Sequence, residues 1–362
     1  MARLTVPAQD ATIAAKARPT GHREEAMTPR GRCPPRRALL AASAAAAALA
    51  APRILRAAAF PGGDIRIVSG APPGGTSDIF SRLLAEKLAP IFRQRVLVEN
   101  RAGAGGLVGA VAVNTLPADG HNVFVTSMGV QAVMAQMPGQ VMPLDVDRDL
   151  TLISNGIGIP NTLVVHPQAA FRAVPELIAH AKANPGKLTY ASAGSGGSQH
   201  LAAEMFKVLT DTSILGIPYR GGAPATLAVV AREVDMFFGN LPDVFGQVRQ
   251  GAVRPLAVGS RQPAPQLPEV PSMSRFVPDF ELVNWFGLAG PRGMERAALA
   301  RWTEALLQVR EDADYRRRMF ENGMEVKLGT PEELAAQVER DKRVWGDIIR
   351  RAGLRAEVAQ GG

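Results

Sequence analysis

Residues 65–88 read IRIVSGAPPGGTSDIFSRLLAEKL, and the changes of texture inside this stretch decide the fold class. Residues 65–70 (IRIVSG) form a short β-rich run. Residues 71–75 (APPGG) break it, because proline fixes φ and carries no N–H while glycine opens turn conformations. From Ser77 onward Ile79, Phe80, Leu83, Leu84 and Leu88 recur at helical spacing. Thr76 or Ser77 is the expected cap, and Asp78 stands in the first turn, where the helix end favours negative charge. Beyond this stretch, residues 95–100 (RVLVEN) read as a strand and 101–106 (RAGAGG) as a glycine-rich loop. A small-residue helix then runs to Leu116, Asp119-Gly120 makes a turn, and residues 123–127 (VFVTS) form another strand. The order β-α-β-α-β predicts a parallel sheet with crossover helices.

A second series of the same kind follows. Strands are expected over 161–166, 188–192, 214–219, 235–238 and 254–258, with helices over 174–184, 199–209, 224–233 and 243–250. A proline-rich stretch, 262–278, reads as a crossover back to a strand at 283–289 (VNWFGLA). The rest to Arg355 is mostly helical, with Thr330-Pro331-Glu332 as a helix start. Two α/β units in tandem suit a chain of 362 residues, which is long for a single domain.

The formal charge is +8, but it is unevenly spread. Residues 1–59 hold ten of the 41 Lys and Arg and three of the 33 acids, leaving 31 basic against 30 acidic residues in the body. A near-neutral body with few aromatics lacks the basic footprint of a nucleic-acid binder. The basic leader has its own logic. Arg36-Arg37 precedes an Ala/Leu run to Ala51, with A-x-A-like sites at 48–50 and 57–59. A charged segment, a short apolar segment and a small-residue cleavage point predict a secretory signal over 1–59, of twin-arginine type and cut after Ala59. The single cysteine, Cys33, lies in this leader, so the body is expected to hold neither disulfide nor thiolate site.

Three loops share one design, in which a strand ends, small residues follow and a helix begins: 72–77, 103–106 and 194–198. A helix start presents unpaired backbone N–H groups and partial positive charge, which suits an anion. Taken singly each loop is an ordinary tight turn; the recurrence is what points to a ligand. Enzyme signatures are missing. Ala193 stands where G-x-S-x-G requires glycine, no phosphate loop of the G-x-x-x-x-G-K-[ST] form exists, and the histidines of the body show no metal-ligand spacing. His200 opens a helix beside a candidate loop and reads first as a packing or hydrogen-bonding residue rather than a catalytic base; Arg220 follows a strand and reads equally as a carboxylate's counter-charge or a solvated surface charge.

The residues that carry these loops resemble the Bug/TctC substrate-binding receptors of tripartite tricarboxylate transporters. The resemblance rests on APPGGTSDIFSRLLAEKL, VLVENRAGAGGLVGA, ADGHNVFVTS, LTYASAGSGGSQHLAAEMF, IPYRGGAPA, FFGNLPD, RPLAVGS, LPEVPSM and NWFGLAGP, in order, across residues 64–353. It implies a periplasmic-binding-protein fold of type II, an α/β protein of two lobes, each with a mainly parallel sheet, joined by crossover strands at a hinge. Lobe 1 is expected over 60–160 plus 281–362 and lobe 2 over 161–280. The resemblance further implies a small organic carboxylate held in the cleft, membrane permease subunits as partners, a periplasmic monomer, no cofactor, no metal, no nucleic acid and no catalysis. Carried over by motif, the first-lobe grip is Pro73, Gly74, Gly75, Thr76 and Asp78, with Thr126 and Ser127 beside it. The second-lobe grip is Gly197, Ser198 and His200, with Tyr219 and Asn240 nearby. Three positions depart from the family pattern. Arg220 replaces a common lysine, Gly239 a frequent acid, and Gln199 a usual serine or threonine, which opens the identity of the ligand. An exported α/β enzyme and a solute sensor for a signalling partner stay open as alternatives.

Overall fold

A computed structural model describes residues 60–192 and 196–356. The leader expected over 1–59, with Cys33, lies outside them, as do residues 193–195 of the third loop.

The first texture change becomes β1 (Ile65–Ser69) and α1 (Thr76–Phe92). Ile65, Ile67, Phe80, Leu84 and Leu88 are fully buried, so the apolar face of α1 lies on the sheet as its spacing requires. The cap differs from expectation. Gly75 is the N-cap residue and no side chain caps the helix; the Thr76 and Ser77 hydroxyls bond elsewhere. After β2 (Val96–Asn100), α2 (Leu107–Asn114) and β3 (Asn122–Ser127) comes β4 (Leu150–Val165), a 16-residue strand. The second series supplies α3 (Val174–Ala183), β5 (Thr189–Ser192), α4 (Ser198–Thr210), β6 (Leu215–Pro218), α5 (Gly222–Val230), β7 (Met236–Asn240), α6 (Leu241–Arg249) and β8 (Arg254–Val258). The chain returns through β9 (Val283–Pro291), α7 (Arg296–Arg310), α8 (Ala313–Glu321), β10 (Glu325–Val326) and α9 (Pro331–Ala352). Thr330 and Glu333 close a reciprocal capping box at the start of α9.

The strands follow the order β2-β1-β3-β9-β4-β7-β5-β6, with β8 and β10 also on β4. β1 pairs in parallel with β2 and β3, and β5 in parallel with β6 and β7; β9 and β4 run antiparallel to their neighbours. The fold is therefore the expected α/β arrangement of two lobes with largely parallel sheets. The lobes share β4, whose first half pairs with β9 and β10 and whose second half pairs with β7 and β8. The boundary expected at residue 160 thus falls inside one continuous strand. Each lobe has its own apolar core: Phe80, Val123, Trp302 and Tyr315 in one, Phe206, Phe238 and Phe280 in the other. Helix α9 adds Leu334, Val338, Trp345 and Ile349 to the second of these. The parallel strands β1 and β5 end facing the loops that precede α1 and α4, which places both helix starts at the gap between lobes.

Candidate functional site

A cavity of about 470 Å³ opens between the lobes. From the first lobe it is lined by Gly75 and Thr76 at the start of α1, by Ser127 at the end of β3, and by the Gly103–Gly106 turn. From the second it is lined by Gly197 and Ser198 at the start of α4, and by Tyr219 and Asn240. Seven of the sequence-derived site residues therefore share one space. In the Gly103–Gly106 turn φ is positive throughout, +139° at Gly103, +45° at Ala104, +64° at Gly105 and +105° at Gly106, a path that three glycines make easy and that brings bare backbone to the cavity wall.

Five expected residues do not line the cavity. Pro73 and Gly74 point outward on the exposed tip of their loop. Asp78 is buried beneath that loop and serves it: its carboxylate accepts from the Gly74 N–H at 3.0 Å, from Asn100 Nδ2 at 2.9 Å and from the Arg82 guanidinium at 2.9 Å. Burial raises the Asp78 pKa, but the bonds from Arg82, Gly74 and Asn100 outweigh burial and hold it below the ordinary carboxylate range. Thr126 is fully buried and accepts from Gln131 Nε2 at 2.9 Å. His200 is buried, and its Nδ1 accepts from the Gly196 N–H at 3.4 Å, which fixes the loop before α4. Each of these side chains sits one layer behind the residue that reaches the cavity.

The structure adds residues that sequence reading left out. Asn284 and Phe286 of β9 line the cavity floor. Asn284 Nδ2 and the Ser198 hydroxyl both donate to Asn240 Oδ1 at 3.1 Å, while Asn284 Oδ1 has no partner among the described residues. Asn161, opposite Asn240 in the β4–β7 register, keeps both side-chain polar atoms buried and unpaired among the described residues. Buried polar groups are rarely left so.

The ionisable residues of the lining are Tyr219, Arg220 and Asp243. Arg220 is exposed. Tyr219 donates to Glu233 at 3.3 Å, and burial together with that acid pushes its pKa up. Asp243, in the first turn of α6, reaches across to the other lobe: its Oδ1 accepts from the Thr76 backbone N–H at 2.9 Å and from the Thr76 hydroxyl at 2.7 Å. Its Oδ2 accepts from Gln199 Nε2 at 3.4 Å. Enclosure between the lobes pushes the Asp243 pKa up against the lowering effect of bonds from Thr76, Gln199 and Asn240. The sequence carried a faint sign of this residue in FFGNLPD, but first-turn acids ordinarily serve their own helix. Among the described residues no cluster of metal-ligating side chains occurs. Nor is any helix there long and apolar enough to cross a membrane.

Two lobes on shared strands, with helix starts from each meeting at one cleft, define the periplasmic-binding-protein class of fold. The chain matches the tripartite tricarboxylate transporter family receptor, TctC, over residues 80–354, and it belongs to that family. That family consists of receptors, so the protein is a solute-binding receptor and not an enzyme. It is 33% identical over 316 residues, 87% of this chain and 94% of the relative, to the UPF0065 protein in the tcbD-tcbE intergenic region of Pseudomonas sp. strain P51. Among solved structures it is similar to R. palustris Rpa4515 with adipate, at a TM-score of 0.79 and 28% identity, covering 82% of this chain and 99% of that one. It is also similar to MatC (Rpa3494) from Rhodopseudomonas palustris with bound malate, at a TM-score of 0.76 and 25% identity, covering 80% of this chain and 100% of that one.

Proposed function

We propose that the protein captures a small organic carboxylate in the interlobe cleft, outside the cytoplasm, and hands it to the permease subunits of a tripartite tricarboxylate-type transporter. One observation carries this reading: the starts of α1 and α4, one from each lobe, border the same cavity of about 470 Å³. Backbone donors at helix ends attract an anion without a full counter-charge, and a volume of this size suits a small ligand with a few waters. Glycines and Ser127, Ser198 and Thr76 supply donors; Arg220 supplies the cation at an exposed position. Seen from the ligand, closure follows because one molecule touches both lobes and so binds the closed form better. On this reading residues 60–160 with 281–362 make one lobe, whose last helix, α9, lies against the core of the other, residues 161–280, and residues 1–59 direct export. The adipate and malate held by the two structural relatives name the first probes. Calorimetric titration of the folded chain with adipate, malate and citrate is expected to give saturable heats for at least one acid. Silence across a wider panel of di- and tricarboxylates sinks the proposal.

A further inference from the structure

The start of α1 already holds a carboxylate, and it belongs to the protein. Asp243 and Thr76 are 167 residues apart in sequence and lie on opposite lobes, yet Asp243 Oδ1 accepts both the Thr76 N–H, at 2.9 Å, and the Thr76 hydroxyl, at 2.7 Å. The Thr76 hydroxyl is therefore not a helix cap; it is turned to the opposite lobe. Gln199, second residue of α4, donates to the other Asp243 oxygen at 3.4 Å, so one side chain ties together the starts of both cleft helices. Glycine at 222 leaves room for this carboxyl: a Cβ added there would lie 2.1 Å from Asp243 Oδ2. A free carboxylate entering the cleft offers the same two acceptor oxygens to the same donors, so the two groups compete for one seat.

We propose that Asp243 is a tethered surrogate for the ligand's carboxylate, which occupies the anion seat at Thr76 and latches the ligand-free lobes together until an incoming acid displaces it. This inference rests on the receptor reading above. It follows that Asp243 sets the threshold for capture. An acid must bind Thr76 better than a carboxylate already delivered to it by the chain, and acids that engage further donors in both lobes are favoured over simple monocarboxylates. The latch also makes the ligand-free form more closed than lobes lacking such a bridge.

The test uses the full chain carrying Asp243→Ala, with Asp243→Asn as a second variant that keeps an acceptor and removes the charge. X-ray scattering without ligand reads the latch alone. The Ala variant is expected to show a larger radius of gyration than the wild type, with the Asn variant between them. Titration with adipate and malate is then expected to show binding tightened about tenfold by the Ala change, the order expected when one charge-assisted contact no longer has to be broken. An unchanged radius of gyration in both variants overturns the latch. A larger radius accompanied by weaker binding overturns the competition, since it makes Asp243 a support of the ligand. If the radius grows while neither wild type nor variants take up any acid, the latch stands and the receptor reading for these acids falls. The Asn variant alone decides the matter if the Ala variant does not fold.

Discussion

Gly129→Val is expected to weaken carboxylate capture while leaving the folded lobes intact. Gly129 follows β3 in the first lobe, and a Cβ built there would lie 3.0 Å from the Gly196 carbonyl oxygen and 3.6 Å from Gly197 Cα, both in the second lobe. Valine adds two methyls beyond that Cβ, facing backbone that cannot swing aside as a side chain does. Overpacking of this kind costs about 1–3 kcal/mol, and the closed form bears it, because opening carries Gly196 away. The affinity for a carboxylate should fall about 5- to 150-fold. In the Asp243→Ala background, where no latch holds the ligand-free lobes closed, global stability should change by less than about 0.5 kcal/mol, since the nearest atom of the same lobe, the Ser127 hydroxyl oxygen at 3.7 Å, is at ordinary contact distance. Calorimetry with the acid that binds the wild type measures the first quantity, and thermal unfolding without ligand measures the second. Gly129→Ala should lie between, as 3.0 Å asks the neighbour to give only a few tenths of an ångström. Wild-type affinity in the valine variant would refute the reasoning, because the contact between Gly129 and Gly196 would then be no part of the bound state.

Three further outcomes are expected. Ser198→Ala removes a cleft hydroxyl and should weaken carboxylate binding about 2- to 10-fold with little loss of melting temperature, as one neutral hydrogen bond is at stake; a titration at constant ionic strength checks it. Asp78→Asn should reduce stability at neutral pH and flatten its acid dependence. The folded-state pKa of Asp78 is lowered, so the stability it adds is present above the unfolded carboxylate's pKa of about 4 and is lost as pH falls through the lower folded value; denaturant unfolding from pH 7 to pH 3 reads both effects. Tyr315→Phe should leave stability unchanged or raise it by up to about 1–2 kcal/mol, because the Tyr315 hydroxyl is buried with no partner among the described residues; a fall in melting temperature would show that the hydroxyl is satisfied after all.

The alternation of strands and helices was legible because the parallel strands are short and mostly apolar with glycine or proline close behind, and the longer helices carry a 3.6-residue apolar period. β4 was only half legible. Its second half lies within the strand expected over 161–166, but 150–160, where Ser154, Asn155, Gly156, Gly158 and Pro160 interrupt the apolar residues, carries no expected element. Two register shifts against β9, between Leu152 and Ser154 and between Asn155 and Ile157, break the two-residue alternation that sequence reading relies on. Gly156 has a tertiary cause that no local pattern reveals: a Cβ there would meet Phe80 Cζ at 2.6 Å and the Phe286 carbonyl oxygen at 2.8 Å. The site was legible to the depth of its loops. Sequence places the right loops at the cleft but does not distinguish the side chain of each loop that faces the cavity from the one that faces back, so Thr76 and Asp78, two residues apart, read alike. Asp243 was beyond its reach, because the partner that gives it meaning stands on another lobe.

The same separation explains why the seam between the lobes is rich in bare backbone. A helix start attracts an anion only within its first turn, and hydrogen bonds weaken beyond about 3.2 Å and are lost by about 3.6 Å. Two such starts serve one small ligand only if the lobes approach until their backbones nearly touch. At Gly221 an added Cβ would lie 3.0 Å from Pro72 Cγ and Cδ, and at Gly129 3.0 Å from the Gly196 oxygen. Each pair joins one lobe to the other, so a side chain at Gly129 works as a wedge in the closed form and not in the open one, while at Gly221, where φ is +118°, it adds backbone strain in both. Closure and anion recognition are thus one requirement: the glycines that bring the helix starts close are what let amides do the work that a buried lysine or arginine would otherwise do. That arrangement also leaves the seat open to any carboxylate within reach, including the one on Asp243.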